Sequence, residues 1–411
     1  MPRAVFLTPV LPSRSGMGLA MRAGSQLAGM MRVFDVKTLL IPLIETGQTG
    51  GSFAAAFPGS GLERVACVGE VDHYFRLIAS LVDPQERLLH FERYGKPSLV
   101  AALSGSVVQR VAERVQHHGA THIHVFRSYL LPALDLLPHA TTRSIDLDED
   151  DASSFLSSAA VLEARRCPEA ARWARLEALA FDRLIALRLK NFGCVTLANA
   201  EDIPGFLGRH PGLPLQALPN GVDVPTLASI TPGGHRKDIL FVGSLRYEPN
   251  VDGLLWFVTS VLPRLPKARL LVAGRAPPPQ LLAWARPGRV EFLGYVERLA
   301  CAYRHAALAI APMRSGGGTR LKILEAGAHG VPVVATPEAA KGLWKQGRFW
   351  GMTATSARHF AGACRRLLEN PQEAQRLGRL GRHAVAADFS SVRVEDAWST
   401  MFEGLQKGLQ P

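Results

Sequence analysis

Cysteine is scarce in this sequence, and a long apolar run is missing from it. The 411 residues include 5 cysteines, which are scattered and form no Cys-x-x-Cys pair. This spacing argues against a disulfide framework or a zinc site, and it is typical of a protein in a reducing cytoplasm. No stretch of about 18 uncharged apolar residues occurs, so we expect no membrane-spanning helix. The first ten residues carry a short apolar run that Pro9 ends, which predicts a strand rather than a signal peptide.

Acidic residues are in the minority. The chain has 35 Asp and Glu against 47 Lys and Arg, which gives a net charge of +12. An anionic substrate, an anionic membrane surface, or an Arg-rich composition without functional meaning would each account for this excess. We expect no nucleic-acid partner, because no recognised nucleic-acid module or aromatic-basic pattern is visible. The length is too great for one usual core and predicts two folded domains.

The most informative stretch is residues 307–336. It begins with an apolar run of strand length and continues through Pro312 into three consecutive glycines, 316–318. A helical pattern follows over 319–329, and a glycine and a proline then stop it before the next apolar run. This order predicts a strand, a loop, a helix and a second strand of a parallel sheet.

The loop of this stretch has the features of a phosphate site. In a parallel sheet it lies where the carboxyl edge meets a helix N-terminus, whose free N–H groups and positive dipole suit an anion. Arg314, Arg320 and Lys322 add positive charge there. Glu325 is the one acid of the unit and is suited to accept hydrogen bonds from sugar hydroxyls. The alternative is a glycine-rich turn of an ordinary sheet, but the neighbouring cations favour the phosphate site.

A second loop of this kind lies near the N-terminus. An apolar strand over 4–8 leads to Gly16-Met17-Gly18 and then to a helical pattern. The dinucleotide fingerprint fails here, because position 21 holds Met instead of the third glycine. We therefore expect a loop that faces a phosphate without the dinucleotide motif, and a purely structural turn is the alternative.

Five carboxylates fall within residues 146–151, at the end of a predicted strand over 142–147. Asp146 and Asp148 share a side of the chain if the strand continues, and both would then point towards the edge of a cleft. One interpretation is a cluster that binds hydroxyl groups of a substrate, with one acid serving as a base. The other is a solvated loop that caps a helix starting near Ser153, where acids are favourable. The residues alone leave both open.

His122 and His124 alternate along another predicted strand, so they lie on one of its faces. A metal would need a third ligand that the sequence does not identify, so we interpret them as packed core histidines. Arg127 follows at the carboxyl end of this strand, where open parallel sheets bind ligands. It is a candidate for contact with an anionic group, on the side of the acceptor if the family resemblance described below holds. Further on, the periodicity predicts one long helix over 162–190.

Six segments resemble the signature motifs of glycosyltransferase family 4, in the GT-B superfamily. They follow one another in the order that the family shows, within residues 219–343. They are PNGVD (219–223), FVGSL (241–245), PNVDG (249–253), LLVAGRAP (270–277), VEFLGYV (290–296) and SGGGTRLKILEAGAHGVPVVAT (315–336). The last one is similar to a GGGTRLK-type branch of that family. The N-terminal half matches far more loosely.

The resemblance implies an α/β fold of the GT-B class, with two Rossmann-like parallel-sheet domains facing each other across a cleft. The acceptor-side domain would comprise residues 1–222 and the nucleotide-sugar-binding domain residues 223–389. A C-terminal helix over 390–411 would pack back on the first domain. The implied enzyme is of the hexosyltransferase type. It would move a sugar from a nucleotide-diphosphate sugar to a glycan or lipid-linked acceptor, with retention of configuration and without a metal or other cofactor.

The resemblance also implies roles for single residues. Glu325 would hold the ribose, and Arg320, Lys322 and Arg246 would stabilise the diphosphate leaving group. The groups expected to take part in catalysis are Arg320, Lys322, Glu325, Asp146 and Asp148. The expected nucleotide-sugar contacts are Gly16, Gly18, Arg246, Tyr295, Val296, Gly316, Gly317, Gly318, Thr319 and Glu325.

The chain departs from the family pattern at two places. Gly317 stands where the family has the first of two glutamates, and Ser244 stands where it has an arginine on the diphosphate. Two alternatives are therefore kept: a non-catalytic sugar-nucleotide-binding protein of a polysaccharide assembly, and an epimerase or phosphorylase on the same fold. The preferred interpretation is a cytoplasmic transferase of cell-surface polysaccharide or glycolipid synthesis. It would work at the inner face of the membrane, with peripheral contact to anionic lipid.

Overall fold

The structure, a computed structural model, describes residues 1–44, 50–65, 71–138, 141–226, 238–318, 320–343 and 349–407. The chain forms two compact units. The first comprises Met1–Pro219 together with Glu395–Pro411, and the second comprises Asn220–Val394. None of the described helices combines the length and the apolarity needed to cross a bilayer.

The first unit is built on a parallel sheet. Its described strands are β1 (Arg3–Thr8), β2 (Asp35–Leu40), β3 (Gly61–Arg64), β4 (His122–Phe126), β5 (Thr142–Asp148), β6 (Cys194–Leu197) and β7 (Leu215–Ala217). Their spatial order is β3-β2-β1-β4-β5-β6-β7, and every neighbouring pair is parallel. Strand β4 is buried along its whole length, as expected of a central strand with both faces covered.

Helices connect these strands. They are α1 (Gly18–Met31), α2 (Gly50–Ala56), α3 (His73–Ser80), α4 (Pro84–Tyr94), α5 (Gly105–His118), α6 (Asp151–Ala164), α7 (Pro168–Arg188) and α8 (Ile203–Arg209). The prediction of one helix over 162–190 is wrong, because the chain turns between α6 and α7 and the two helices pack together. Pro168 has no N–H and its ring clashes with a preceding helical turn, so it starts a new helix.

The second unit repeats the plan with a smaller sheet. Its described strands are β8 (Asp238–Val242), β9 (Arg269–Ala273), β10 (Val290–Gly294), β11 (Ala306–Ala311), β12 (Val333–Ala335) and β13 (Met352–Thr353). They pair in parallel in the order β10-β9-β8-β11-β12-β13. The helices are α9 (Glu248–Trp256), α10 (Pro279–Leu282), α11 (Leu299–His305), α12 (Leu321–Ala328), α13 (Pro337–Ala340), α14 (Ala357–Glu369), α15 (Pro371–Asp388) and α16 (Ser391–Lys407). From Glu395 onward, α16 belongs to the first unit.

Each sheet has one point where the order of its strands reverses. The chain builds outward from β1 to β3 and then places β4 on the other side of β1. It likewise builds from β8 to β10 and then places β11 on the other side of β8. The loops that leave the two strands at such a point separate and open a crevice at the carboxyl edge. The glycine loops of the sequence both follow a strand at one of these two points.

Candidate functional site

The candidate site of the second unit lies at the carboxyl ends of β8 and β11. The chain leaves β8 through Gly243 and leaves β11 through residues 312–320, before α12 begins at Leu321. This is the reversal point of the sheet, where doubly wound folds bind their ligands. The N-terminus of α12 follows the loop directly, and its dipole favours an anion.

The Lys322 ammonium lies close to the end of β8. Its Nζ donates a 2.5 Å hydrogen bond to Oδ1 of Asn250 on α9 and lies 3.4 Å from the Met313 sulfur. The ammonium also lies 4.5 Å from the centre of the Phe241 ring, a distance typical of a cation–π contact. Three elements of the fold therefore hold one ammonium in place.

Gly243 leaves room for this arrangement. A Cβ added at Gly243 would lie 2.8 Å from Nδ2 of Asn250 and 3.0 Å from Nζ of Lys322. Both distances are too short for ordinary contacts, so a larger residue would displace the amide or the ammonium. The FVGSL motif therefore needs a glycine at position 243, because the side chains of Asn250 and Lys322 occupy the space that a Cβ would take.

The loop after β11 is folded around Arg320. The guanidinium donates to the Gly317 carbonyl and, at 3.3 Å, to the Ser315 carbonyl. Gly316 and Gly318 adopt φ of +96° and +70°, a region that suits glycine. Arg320 is buried, and among the described residues its Nε has no hydrogen-bond partner. Thr319, one of the predicted contacts, lies outside the described residues.

Lys322 and Glu325 form a coupled pair at the start of α12. The pKa of Lys322 is lowered to about 7, chiefly by burial and also by the Arg320 charge, while the Glu325 carboxylate opposes this shift. Burial raises the pKa of Glu325 to about 7, against the opposing effects of the Lys322 ammonium and a hydrogen bond from the Tyr303 hydroxyl. Each group therefore changes its charge near neutral pH, and a bound anion would favour the protonated lysine.

The other predicted cations differ in their surroundings. Arg314 forms two hydrogen bonds with the buried carboxylate of Asp252, at 3.0 and 2.8 Å. Its charge is thereby neutralised, so Arg314 adds less to an anion site than the sequence suggests. Arg246 is exposed in the loop after β8, where its backbone N–H donates to the Ser244 hydroxyl at 3.4 Å.

Tyr295 and Val296 follow β10 on the same edge of the sheet. Tyr295 is 56% exposed, and the Arg275 guanidinium lies 3.8 Å from the centre of its ring. Val296 packs against the hydrophobic core of the unit. Backbone bonds from Gly274 N to Gly294 O and from Leu245 N to Arg275 O hold this region to the ends of β8 and β9. The arginine of the LLVAGRAP segment was not predicted to take part, although its place after a strand was a usable signal.

In the first unit, the N-terminal glycine loop is closely packed on α1. Gly16 has φ of +98°, and Gly18 is the first residue of the helix. A Cβ added at Gly24 would lie 2.1 Å from the Ser13 carbonyl oxygen, so the loop rests directly on the helix backbone. Arg14 of this loop forms an ion pair with Glu395 of α16.

Asp146 is held by four donors in the interior of the first unit. Arg22 binds both of its oxygens at 2.7 Å, and Gln26 and Thr196 donate at 2.5 and 2.7 Å. The backbone N–H of Asp148 adds a bond of 3.1 Å. The carboxylate is fully buried, and these donors occupy its lone pairs. This geometry favours a structural role in joining α1 to the sheet, in contrast to the expected place on a cleft edge.

Arg127 lies among the other acids of the run. Its Nη2 is 2.5 Å from Asp151 and 3.4 Å from Glu149, and its Nη1 is 3.4 Å from Asp148. Burial raises the pKa of Asp148 to about 6 and that of Asp151 to about 7, although Arg127 opposes both shifts. Asp150 instead caps α6 and binds Arg209. The helix-capping interpretation of the acidic run therefore holds for Asp150, whereas Asp148, Glu149 and Asp151 surround the Arg127 guanidinium; the binding of hydroxyl groups by this cluster stays a prediction.

The two histidines of β4 are packed in the core, as predicted. Both are fully buried, and both bind the Ser144 hydroxyl, at 2.9 and 2.8 Å. His122 stacks on Phe34, and His124 meets Phe402 of α16 edge to face. Burial lowers the pKa of His122 to about 4 and that of His124 well below its usual range. Within the described ranges, no group of three or more His, Cys, Asp and Glu side chains is arranged to hold a metal.

Residues 236–370 match the family profile Glyco_trans_1_4, described as glycosyl transferases group 1. The chain is also similar to a glycogen synthase of Mycobacterium tuberculosis (strain CDC 1551 / Oshkosh), with 30% identity over 218 residues. That match covers 48% of this chain and 50% of the relative. The chain thus spans about half the length of the curated relatives it matches.

Solved structures share the architecture over nearly the whole chain. A sucrose-phosphate synthase of Thermosynechococcus elongatus is similar with a TM-score of 0.70 and 15% identity, covering 99% of this chain and 100% of that one. The Anabaena protein Alr3699/HepE, solved in complex with UDP and glucose, has a TM-score of 0.65 and 12% identity, covering 98% and 100%. Identities this low establish the fold alone. The predicted GT-B class, with two Rossmann-like parallel-sheet domains, is confirmed.

Proposed function

We propose that this chain is a GT-B glycosyltransferase that moves a hexose from a nucleoside-diphosphate sugar to a glycan or lipid-linked acceptor. The profile match over 236–370 supports this proposal, because it covers most of the second unit and its candidate site. The observation that carries it is the group formed by Lys322, Glu325 and the Arg320 loop at the reversal point of the sheet. Cations, a helix N-terminus and a carboxylate in that order suit a diphosphate followed by a ribose.

The reaction breaks the bond between the sugar C1 and the β-phosphate oxygen and forms a bond from C1 to an acceptor oxygen. Charge develops on the leaving diphosphate, so the site has to stabilise an anion. The Lys322 ammonium, the Arg320 guanidinium and the N–H groups that precede α12 supply this stabilisation. The leaving diphosphate takes the acceptor proton, so the proposal needs no carboxylate of the chain as an obligatory base. Transfer with retention of configuration follows in the family that the motifs resemble.

Glu325 would accept hydrogen bonds from the ribose hydroxyls, and its ionised form is the stronger acceptor because these bonds are then charge-assisted. Gly16 and Gly18 would contribute backbone groups to the diphosphate, and Tyr295 and Val296 would contact the nucleobase. We propose that Arg127 and Asp148 contact the acceptor, because the charged atoms of both side chains lie near the carboxyl edge of β4 and β5. Asp146 is left out of the proposed chemistry because its oxygens are occupied by donors.

The donor that we propose to test first is a UDP-sugar, since UDP is named for the similar HepE structure. The scattered cysteines support a cytoplasmic location, and the net charge of +12 supports peripheral contact with anionic membrane at its inner face. In that setting the product would belong to cell-surface polysaccharide or glycolipid synthesis. No metal or cofactor is part of the proposal.

A non-catalytic sugar-nucleotide-binding protein is the second candidate. Gly317 favours it, because the family's first glutamate is missing at that position. The two candidates make the same prediction for binding and opposite predictions for turnover. Only a transferase releases UDP when donor and acceptor, or donor and water, are supplied together.

The test is calorimetric titration with UDP, GDP, ADP and their common sugar conjugates, followed by a UDP-release assay. We expect one nucleotide to bind in the micromolar range, which corresponds to about 8 kcal/mol. The substitution Glu325→Gln should reduce turnover strongly, whereas Glu369→Gln, an exposed glutamate at the end of α14, should not. Absence of binding to every nucleotide would overturn the proposal, and binding without turnover would favour the second candidate.

A further inference from the structure

The second unit contains two cations that are held by the same helix in different ways. Arg314 meets the carboxylate of Asp252, whereas Lys322 meets the amide of Asn250, two residues earlier on α9. A carboxylate cancels the charge of its partner, and an amide oxygen orients the partner without cancelling its charge. The helix therefore leaves Lys322 with a net positive charge and removes that charge from Arg314.

The orientation of the Asn250 amide is determined by its two partners. Nδ2 donates a 2.8 Å bond to the Ser244 carbonyl, which can only accept, and Oδ1 accepts from an ammonium, which can only donate. A flipped amide would lose both bonds, so the assignment is unambiguous. Asn250 is buried, and its side chain bridges the loop after β8 to the first turn of α12.

The other groups around the Lys322 ammonium do not replace this bond. Phe241 of β8 and Met313 of the loop after β11 are uncharged. The charged or titrating groups are Arg320 and Glu325 on its own segment and Tyr303 of α11, whose hydroxyl lies 3.3 Å from the Lys322 carbonyl. Asn250 is thus the neutral acceptor that directs the ammonium towards Gly243 and the end of β8.

We propose that Asn250 is a positioning residue, which holds the Lys322 ammonium at the carboxyl end of β8 as the contact for a diphosphate. This inference rests on the proposed function. Because Asn250 adds no carboxylate of its own, α9 leaves the ammonium its attraction for an anion. Its burial also lowers the Lys322 pKa to about 7, so diphosphate affinity should fall as the pH rises through that range.

The experiment compares Asn250→Asp and Asn250→Ala with the wild type. UDP affinity is measured by calorimetry between pH 5.5 and 9.5, and the Lys322 titration is followed in the free protein by NMR of ¹³Cε-labelled lysine, assigned with Lys322→Arg. Asn250→Asp adds a carboxylate next to the ammonium, so it should raise the Lys322 pKa by at least about one unit. It should also weaken UDP binding at pH 6.5 by about tenfold or more.

Asn250→Ala should shift the Lys322 pKa in the opposite direction, because the ammonium loses an acceptor. Glu248→Gln is the matched control, because it removes a charge from an exposed residue in the first turn of the same helix. It should change neither the midpoint of the Lys322 titration nor that of the pH profile of UDP affinity. A role of Asn250 in folding alone would lower thermal stability without moving the titration. Equal Lys322 midpoints in wild type, Asn250→Asp and Asn250→Ala would overturn the inference.

The two proposals fail in different ways. If the wild type binds no nucleoside diphosphate, the proposed function is wrong, whatever the lysine titration shows. If the wild type binds UDP and both Asn250 variants bind it with the same affinity and pH profile, the function stands and the role of Asn250 is wrong.

Discussion

Replacement of Glu325 by Gln should make the fold more stable and the enzyme less active. The carboxylate is half-buried at the start of α12, and burial raises its pKa to about 7. A carboxyl group whose pKa is raised on folding contributes stability that is lost as the pH rises from the unfolded value of 4.5 through the folded value. Gln is neutral at every pH and suffers no such loss.

The size of this effect follows from the shift. From 4.5 to about 7 is roughly 2.5 units, which corresponds to about 3.4 kcal/mol as an upper limit. The partial exposure of Glu325 reduces this figure. The attraction between the Glu325 carboxylate and the Lys322 ammonium reduces the expected gain in stability further, because the Gln variant loses this attraction. We therefore expect Glu325→Gln to be about 1 to 2 kcal/mol more stable than the wild type at pH 8 and about equally stable at pH 4.5.

Urea unfolding at several pH values measures this difference, and UDP release measures the activity. Turnover should fall about 10- to 100-fold, because one charge-assisted hydrogen bond to the ribose is lost. The exposed Glu369→Gln control should change neither quantity. A Gln variant that is no more stable than the wild type at pH 8 would refute the reasoning about burial, and one that turns over at the wild-type rate would refute the role at the ribose.

Three further substitutions test other parts of the structure. Asp146→Asn should destabilise the first unit by up to about 3–5 kcal/mol in urea unfolding, because it removes the nearer of the two carboxylates that pair with the buried Arg22 guanidinium; a loss below about 1 kcal/mol would contradict the structural role. His122→Phe should make the fold less sensitive to acid. The pKa of His122 is about 4 in the folded wild type and 6.5 in the unfolded chain, so the wild type loses stability as the pH falls below 6.5. This loss of wild-type stability at acid pH is worth up to about 3 kcal/mol. If the free energy of unfolding falls by the same amount from pH 7 to pH 5 in the wild type and in His122→Phe, the role given to His122 is wrong. Gly243→Ala should weaken UDP binding about tenfold, because the added Cβ displaces the Lys322 ammonium or the Asn250 amide that holds it; unchanged affinity would place the diphosphate elsewhere.

Much of the second unit was predictable because its signals are local. Apolar runs of strand length, glycines after strands and prolines at helix starts each act within a few residues. The loop at 316–318 and the helix that carries Lys322 and Glu325 were predicted from such signals. The helix over 162–190 was predicted wrongly, because its apolar pattern continues through Pro168 and outweighed the break that the proline causes.

The role of each charged side chain was much less predictable. Arg314 and Lys322 looked alike in the sequence, and Asp146 looked like the other acids of its run. Their environments differ because α9 presents a carboxylate to one cation and an amide to the other, and because Arg22 and Gln26 of α1 occupy the Asp146 oxygens.

The sequence by itself therefore determined the alternation of strands and helices, the two glycine loops, and the supply of cations and acids near them. These depend on backbone geometry and hydrophobic periodicity, which neighbouring residues specify. Only the tertiary structure decided which charges are cancelled and which are left to meet a ligand. Asn250 lies 72 positions from Lys322, and Arg22 lies 124 positions from Asp146. Charge and pKa depend on distance and burial in space, and the folded chain alone brings these partners together.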